Sequence, residues 1–240
     1  MSEAIFVEGL TKTYHGKTVV DHLNLSVKSG TVFGLLGANG AGKSTTIECM
    51  LGTKQAESGT IRLLGQDPKK CRRTLFQRVG VQFQEGDYQK EIKVSELCEE
   101  TACLYRSPAD WRNLCEQFGI GDKANTPVKG LSGGERQRLF IVLALIPQPE
   151  LVFLDELTTG LDAKARHSVW KTLEHLKRQG LTIFLTSHFM DEVEALCDEI
   201  CILKKGTPVF RGTVEQAKQQ CGCERFEDAY LQLSDEEVDA

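Results

Sequence analysis

The chain of 240 residues has no apolar run long enough to cross a bilayer. Its longest strongly apolar stretch, Leu139 to Ile146, falls far short of the ~20 residues that a spanning helix needs. The sequence therefore predicts a chain that spans no membrane. No secretory or transit leader is visible, because Glu3 and Glu8 interrupt the apolar residues near the N-terminus. Charge of one sign is also lacking. With 29 Lys and Arg against 34 Asp and Glu, the net charge is −5, which gives no reason to expect nucleic acid or an anionic lipid surface as a partner. The nine cysteines include no C-x-x-C pair, their number is odd, and no histidine stands beside Cys221-Gly222-Cys223. Neither a zinc site nor a disulfide framework is predicted, and the thiols are read as reduced and mostly packed. Internal repeats, low-complexity linkers and sustained heptads are absent too. What remains is an ordinary globular composition, sized for one large domain or a domain with an embedded subdomain.

Within that ordinary background one stretch stands out. Gly37-Ala38-Asn39-Gly40-Ala41-Gly42-Lys43-Ser44-Thr45 fits G-x-x-x-x-G-K-[ST], a loop that cradles phosphates. The apolar run Val32-Phe33-Gly34-Leu35-Leu36 before it reads as a strand. Ser44 to Leu51 reads as a helix with Ile47, Met50 and Leu51 on one face. Glycines let successive N–H groups point at phosphate oxygens, and the helix N-terminus adds partial positive charge behind them. Lys43 has the reach for the β- and γ-phosphates, and the Ser44 hydroxyl for Mg²⁺.

Around this loop, strands are predicted over 4–8, 18–20, 23–27, 60–64, 79–83, 151–154 and 181–186, with an edge hairpin at 200–203 and 208–210. Leu151-Val152-Phe153-Leu154 is continuously apolar, as expected of a strand buried on both faces of a parallel sheet. Helices are predicted at 71–77, 94–105, 108–118, 139–146, 163–179, 190–197, 214–220 and 226–233. From about 85 to 130 no strand is evident, so this part reads as a helical subdomain inserted into an α/β core. Ser107-Pro108 suits a helix start.

Three further clusters carry chemistry. Asp155-Glu156 directly follows strand 151–154, and ligands of open parallel sheets sit beyond the carboxyl ends of the strands. There Asp155 would hold Mg²⁺, while Glu156 would orient and deprotonate an attacking water. His188 follows the strand at 181–186 and shares that edge if the two strands are neighbours. From there it would hydrogen-bond a γ-phosphate or the water. A lone histidine after a strand also has a purely structural reading. Leu131-Ser132-Gly133-Gly134-Glu135 opens a helix running to Ile146, with glycines that expose N–H groups at a helix N-terminus. Ser132 and Glu135 also have the spacing of an ordinary capping box.

These stretches together resemble the ATP-binding cassette family, the nucleotide-binding subunits of ABC transporters. The resemblance runs from about Ile5 to Gly212. It rests on 37–45, on 131–135, on Leu151-Val152-Phe153-Leu154-Asp155-Glu156, on Gly160-Leu161-Asp162 and on Ser187-His188, in matching order and spacing. It implies a P-loop NTPase core with a mostly parallel sheet, an N-terminal antiparallel β part and the inserted helical subdomain. The core would take about 1–84 and 147–212, the helical subdomain about 85–146, and a C-terminal tail 213–240. The implied cofactors are ATP and Mg²⁺. By the same resemblance Tyr14 stacks on adenine, and Gln84 links Mg²⁺ and the γ-phosphate to the helical subdomain. Asp162 sits at a dimer interface beside the opposing phosphate loop. Ser132, Gly133 and Gly134 then complete a nucleotide site shared between two chains.

Three residues depart from the family pattern. Ala38 and Glu135 replace a common proline and glutamine without removing a catalytic group, and Leu157 replaces a proline whose loss is expected to loosen the turn before Gly160. The implied function is an ATPase that powers a membrane transporter from the cytoplasmic face, with an integral membrane permease subunit and a homodimeric or heterodimeric ATPase. Residues 187–198 and 226–231 look most like the multidrug and small-molecule exporter branch, although an acidic helix at 190–197 also has the reading of a merely solvated face. The permease is expected near Gln84 to Ile92, where Tyr88 and Ile92 either meet it or are buried within the subdomain. A soluble cassette ATPase of translation or DNA maintenance is the alternative. A small-molecule P-loop kinase is disfavoured by 131–135 and by Glu156.

Overall fold

The structure is a computed structural model that describes residues 2–82 and 91–234. Strands β1 (Glu3–Tyr14) and β2 (Lys17–Lys28) form an antiparallel hairpin. In β2 the buried residues Val20, Leu23, Leu25 and Val27 turn one face inward, which is the mark of a half-buried sheet. The two short strands expected at 18–20 and 23–27 are a single strand. β2 is continuous because a bulge carries it past His22, at φ 46°. Side chains hold that bulge: the His22 N–H donates to Thr11 Oγ1 at 3.2 Å, and the Gly9 N–H to Asn24 Oδ1 at 2.8 Å. Strand β3 (Val32–Leu36) enters the glycine loop and helix α1 (Lys43–Met50) leaves it. β4 (Ser58–Leu63) returns to β1, giving a three-stranded sheet of order β2-β1-β4.

Helix α2 (Arg72–Leu75) leads to β5 (Val79–Gln82). After the helices α3 (Val94–Cys103), α4 (Trp111–Gln117) and α5 (Gly133–Leu145) come β6 (Leu151–Leu154), α6 (Ala163–Arg178) and β7 (Thr182–Leu185). Helix α7 (Met190–Leu196), the hairpin β8 (Glu199–Lys204) and β9 (Thr207–Gly212), and helices α8 (Val214–Cys221) and α9 (Phe226–Ser234) follow. The second sheet has the order β5-β6-β7-β3-β8-β9, parallel except for β9. β3, β6 and β7 are buried along their whole length, as their unbroken apolar runs require. Helix α4 begins at Trp111 rather than at Pro108, because Asp110 caps it by accepting the Arg112 N–H at 2.9 Å.

One apolar cluster lies between the two sheets, where Phe33 stacks on Phe184 with ring centres 5.6 Å apart. A second joins Trp111, Leu114 and Phe118 of the helical segment to Val152, Leu154 and Ile183 of the parallel sheet. Helix α5 is the element common to both sides of that cluster, through Leu139, Ile141 and Val142. A third cluster seats Phe226 and Tyr230 of α9 against Ile200 and Ile202 of β8. All nine cysteines are free thiols, and burial pushes Cys201 up to about 12. Ile92 is buried at 8% exposure, so of its two readings the packed one holds; Tyr88 lies outside the described residues.

Helix α5 runs so close under β5 that a Cβ on Gly80 would lie 1.9 Å from the Ala144 carbonyl oxygen. Gly80→Ala should therefore destabilise the fold by about 2 kcal/mol or more, since backbone must move to admit one methyl. Urea unfolding at wild-type midpoint would refute this.

Candidate active site

The parallel strands all end at one edge of the sheet, and the chemistry-bearing residues collect there. The loop after β3 is shaped by glycine. At Gly37, φ is 146° and a Cβ would lie 2.4 Å from the Leu203 carbonyl oxygen; at Gly42, φ is 106° and the Val19 carbonyl oxygen is 2.7 Å away. No other residue fits either position. Lys43 Nζ reaches back over the loop and donates to the carbonyl oxygens of Gly37 at 2.6 Å and Ala38 at 3.2 Å. Thr46 Oγ1 donates to the Gly42 carbonyl at 2.8 Å, which braces the first turn of α1. Ser44 is exposed at that turn, and Ala38, Asn39 and Gly40 form the accessible rim of the loop.

Two strands away, β6 delivers the carboxylates. Asp155 is buried, and desolvation lifts its carboxyl above the usual range against the opposing pull of the Thr186 hydroxyl and Lys43. Glu156 follows with φ 52°, a left-handed conformation that costs a non-glycine residue of the order of 1–2 kcal/mol. That turn is held from three sides. The Glu156 N–H donates to Thr186 Oγ1 at 2.9 Å, and the same hydroxyl donates to Asp155 Oδ1 at 2.5 Å. Gln137 Nε2 donates to the carbonyl oxygens of Glu156 at 3.1 Å and Leu157 at 2.9 Å. The Leu157 N–H donates to the Thr186 carbonyl at 3.4 Å. Leu157 is fully buried, and its N–H makes a hydrogen bond for which proline has no N–H.

β7 is the neighbour of β6, as His188 required to share this edge. His188 Nε2 lies 3.5 Å from Glu156 Oε1, with the imidazole exposed. Gln82, at the end of β5, donates through Nε2 to the Asp155 carbonyl at 3.1 Å. Gln84 lies outside the described residues.

Helix α5 begins with an observed capping box. The Glu135 N–H donates to Ser132 Oγ at 3.2 Å, and the Ser132 N–H donates to Glu135 Oε2 at 2.8 Å. Ser132 and Gly133 are exposed. Gly134 is pressed against the Gly160 turn, where a Cβ would meet the Leu161 side chain at 3.1 Å and the Gly160 carbonyl at 3.2 Å. Asp162 caps α6, its Oδ1 accepting the Ala165 N–H at 2.8 Å. Tyr14 ends β1, with Lys12 Nζ 4.8 Å and Lys54 Nζ 5.5 Å from its ring centre. Its hydroxyl is buried without an aligned partner among the described residues.

Thr186, Gln137 and Glu192 escaped the reading of the sequence. Gln137 and Glu192 each sit four residues before a buried apolar residue of their own helix, Ile141 and Leu196. A polar residue on an apolar face was the available signal. Glu192 overturns the reading of α7 as merely a solvated face, for it is 0% exposed. Trp170 Nε1 donates to its Oε1 at 3.0 Å, while Oε2 and the buried Thr158 hydroxyl lack aligned partners among the described residues. Burial raises the Glu192 carboxyl, opposed by the Ser187 and Thr158 hydroxyls and the Trp170 indole.

A glycine cradle with its lysine, two successive carboxylates and a histidine on one edge of a parallel sheet define a P-loop nucleoside triphosphatase, and the glycine-led α5 gives it the architecture of a cassette ATPase. The family model described as "ABC transporter" matches residues 20–159. The chain is 40% identical over 227 residues to the Nod factor export ATP-binding protein I of Ralstonia nicotianae, spanning 92% of this chain and 71% of that protein. It is 41% identical over 231 residues to the protein of the same name from Mesorhizobium japonicum, spanning 93% and 68%. Among solved structures, an ATP-binding subunit of an ABC transporter superposes with a TM-score of 0.88 at 25% identity, over 96% of this chain and 99% of that one. A nucleotide-free ATP-binding cassette from an ABC transporter, at 20% identity, shares the fold with a TM-score of 0.80, over 95% and 99%. The chain belongs to the ABC transporter family, as an ATP-binding and ATP-hydrolysing subunit that powers a membrane transporter. Such a subunit works with a membrane partner and as a dimer, so the soluble alternative is set aside. Among the described residues no helix is long and apolar enough to cross a membrane.

The buried Glu192 generates a pH-dependent prediction. Its carboxyl titrates above the ordinary 4.5 in the folded chain, so the native state holds this proton more tightly than the unfolded one. Ionisation therefore costs stability as pH rises through the folded value, and no cost exists below 4.5. Glu192→Gln keeps an acceptor for Trp170 and removes the buried charge. It should stabilise the chain by about 1 kcal/mol at pH 8, with a gain that fades towards pH 4. Thermal melts showing a pH-independent difference, or a loss at pH 8, would reject this account.

Proposed function

We propose that this subunit powers an exporter from the cytoplasmic face of the membrane, with Glu156 as the base that takes a proton from the water attacking the γ-phosphate. The observation that carries the base assignment is the pairing of Glu156 with His188, 3.5 Å apart, on a turn held rigid by Thr186 and Gln137. His188, exposed beside Glu156, would donate to the γ-phosphate or orient the water. Lys43, which spans the loop carbonyls, would turn its charge to the β- and γ-phosphates, and the N–H groups of 37–45 would take the remaining oxygens. The export direction is supported by the names of the relatives, which are export ATP-binding proteins.

Mg²⁺ fits the donors present. Ser44 and Asp155 offer hard oxygen atoms, with Gln84 as a third candidate. No group of three His, Cys, Asp or Glu residues among the described residues could hold a metal alone, which suits an ion that takes most of its ligands from phosphate and water. When bound, it neutralises charge building on the phosphate oxygens. Tyr14 would stack on adenine, with Lys12 and Lys54 displaced from its faces. Ser132, Gly133 and Gly134 would meet a nucleotide held by the phosphate loop of the second chain, beside Asp162. Two helix N-termini facing each other repel, and ATP between them supplies the missing negative charge.

For the permease, the supporting feature is a cleft of about 740 Å³ where α2 meets the α3–α4 connection. Arg73, Arg78 and Arg106 line it, and Leu104 beside them is 71% exposed. A partner segment with carboxylates flanking an apolar side chain matches that lining.

Glu156→Gln should bind ATP yet lose turnover by ~10²–10⁴-fold, the usual worth of a general base. It should also form an ATP-dependent dimer in size-exclusion chromatography that adding Ser132→Ala abolishes. Wild-type turnover would eliminate Glu156 as the base. Leu104→Lys combined with Arg106→Glu should weaken co-purification of the permease while ATP binding persists; full recovery of the complex would exclude this cleft.

A further inference from the structure

We propose that Gln137 is a positioning residue for Glu156, which makes the placement of the base depend on where the helix of the glycine signature sits. The inference rests on the reading of Glu156 as the base. Gln137 lies in α5, five residues beyond the capping Ser132, and its side chain is buried. Its amide makes two hydrogen bonds, both to the backbone of the strained turn, at the carbonyls of Glu156 and Leu157. The Thr159 N–H also reaches the Glu156 carbonyl, but at 3.3 Å. Thr186 holds the N–H side of the same peptide pair, so Gln137 is the counterpart that fixes the carbonyl side.

The rest of α5 explains why this tie transmits displacement. Arg138, next in sequence, donates to the carbonyls of Phe118 and Gly119 at 3.2 and 3.1 Å, fastening α5 to the end of α4. Gly134 abuts Gly160 and Leu161 closely enough that a Cβ there would lie 3.2 Å from the Gly160 carbonyl and 3.1 Å from the Leu161 side chain. Helix α5 is thus gripped on one side by the helical segment and on the other by the turn that carries Glu156. A shift of α5, whether from a nucleotide at Ser132 and Gly133 or from the helical segment, pulls directly on the Glu156 carbonyl. A misplacement of about 1 Å at a reacting group costs roughly 10²-fold in rate, so a small pull has a large readout.

Two substitutions break the tie in different ways. Gln137→Met keeps the reach and removes the donor; Gln137→Asn keeps the donor and removes the reach. In the full chain both should lower kcat by about 10-fold or more, while KM and the ATP Kd from direct titration stay within about twofold of wild type. Gln137→Lys, with both reach and a donor, should recover part of the loss. A residue needed only for folding would lower the melting temperature without this split. A folded Met or Asn variant with wild-type kcat overturns the proposal, as does a loss of ATP affinity that accounts for the fall in rate. Failure of both variants to fold makes Gln137 structural and overturns it equally. Glu156→Gln assayed alongside separates the two readings: full turnover there removes the base itself, and with it the role of Gln137.

Discussion

The turn after β6 has to present a carboxylate at the mouth of the site while its backbone adopts φ 52° at Glu156, a conformation that a side chain disfavours. Such a turn persists only when its surroundings over-determine it. Here the Thr186 hydroxyl receives the Glu156 N–H and the Gln137 amide takes the two following carbonyls, while Leu157 is sunk completely into the apolar cluster. Each of these partners comes from a different part of the chain. Thr186 is available only because β7 is paired in register beside β6, and Gln137 only because α5 packs against the sheet. Glu156 is therefore as well placed as the packing of two neighbouring elements allows. Its positioning is a property of the whole parallel sheet edge.

The phosphate loop depends on a similar closure, made by one cation. Lys43 bonds the carbonyls of Gly37 and Ala38 across the loop and ties its entry to the first turn of α1. The glycines at 37 and 42 are needed because neighbouring carbonyls leave no space for a Cβ, at 2.4 and 2.7 Å. Asp155 and Glu192 show the opposite side of the economy of such a site. Both carboxylates sit in low-dielectric surroundings that raise their pKa values, Asp155 beneath the loop and Glu192 beneath the His188 segment. Buried charge at the edge where phosphate is handled sacrifices stability for electrostatic readiness.

The architecture also specifies which elements share a core. The apolar cluster that joins Trp111 and Phe118 to Val152 and Ile183 is continuous, so the helical segment shares its core with the sheet. Helix α5 is the shared wall. It carries the signature residues at its exposed end, the Gly80 contact on its underside and the Gln137 tie on its buried face. This one helix thus touches the signature, the Glu156 turn and the core.

Much of this was legible in the residues alone. The glycine-lysine loop, the continuous apolar strands and the acidic pair at a strand end obey short-range rules of period and turn chemistry, and the sequence by itself determined the P-loop architecture and which candidate residues share its sheet edge. The capping box at Ser132 and Glu135 was equally readable, because it spans only three positions. Other features depended on partners distant in the chain. The bulge at His22 is set by Thr11 and the neighbouring Gly9–Asn24 contact, and just ahead of α4 the Ala109 N–H is taken by the Ile146 carbonyl. Neither the burial of Glu192 nor the contacts of Thr186 and Gln137 follow from local pattern, since each is defined by atoms 19 to 30 residues away. Only the tertiary structure decided these, because a buried polar group acquires its function from the partner that satisfies it, and that partner is chosen by packing.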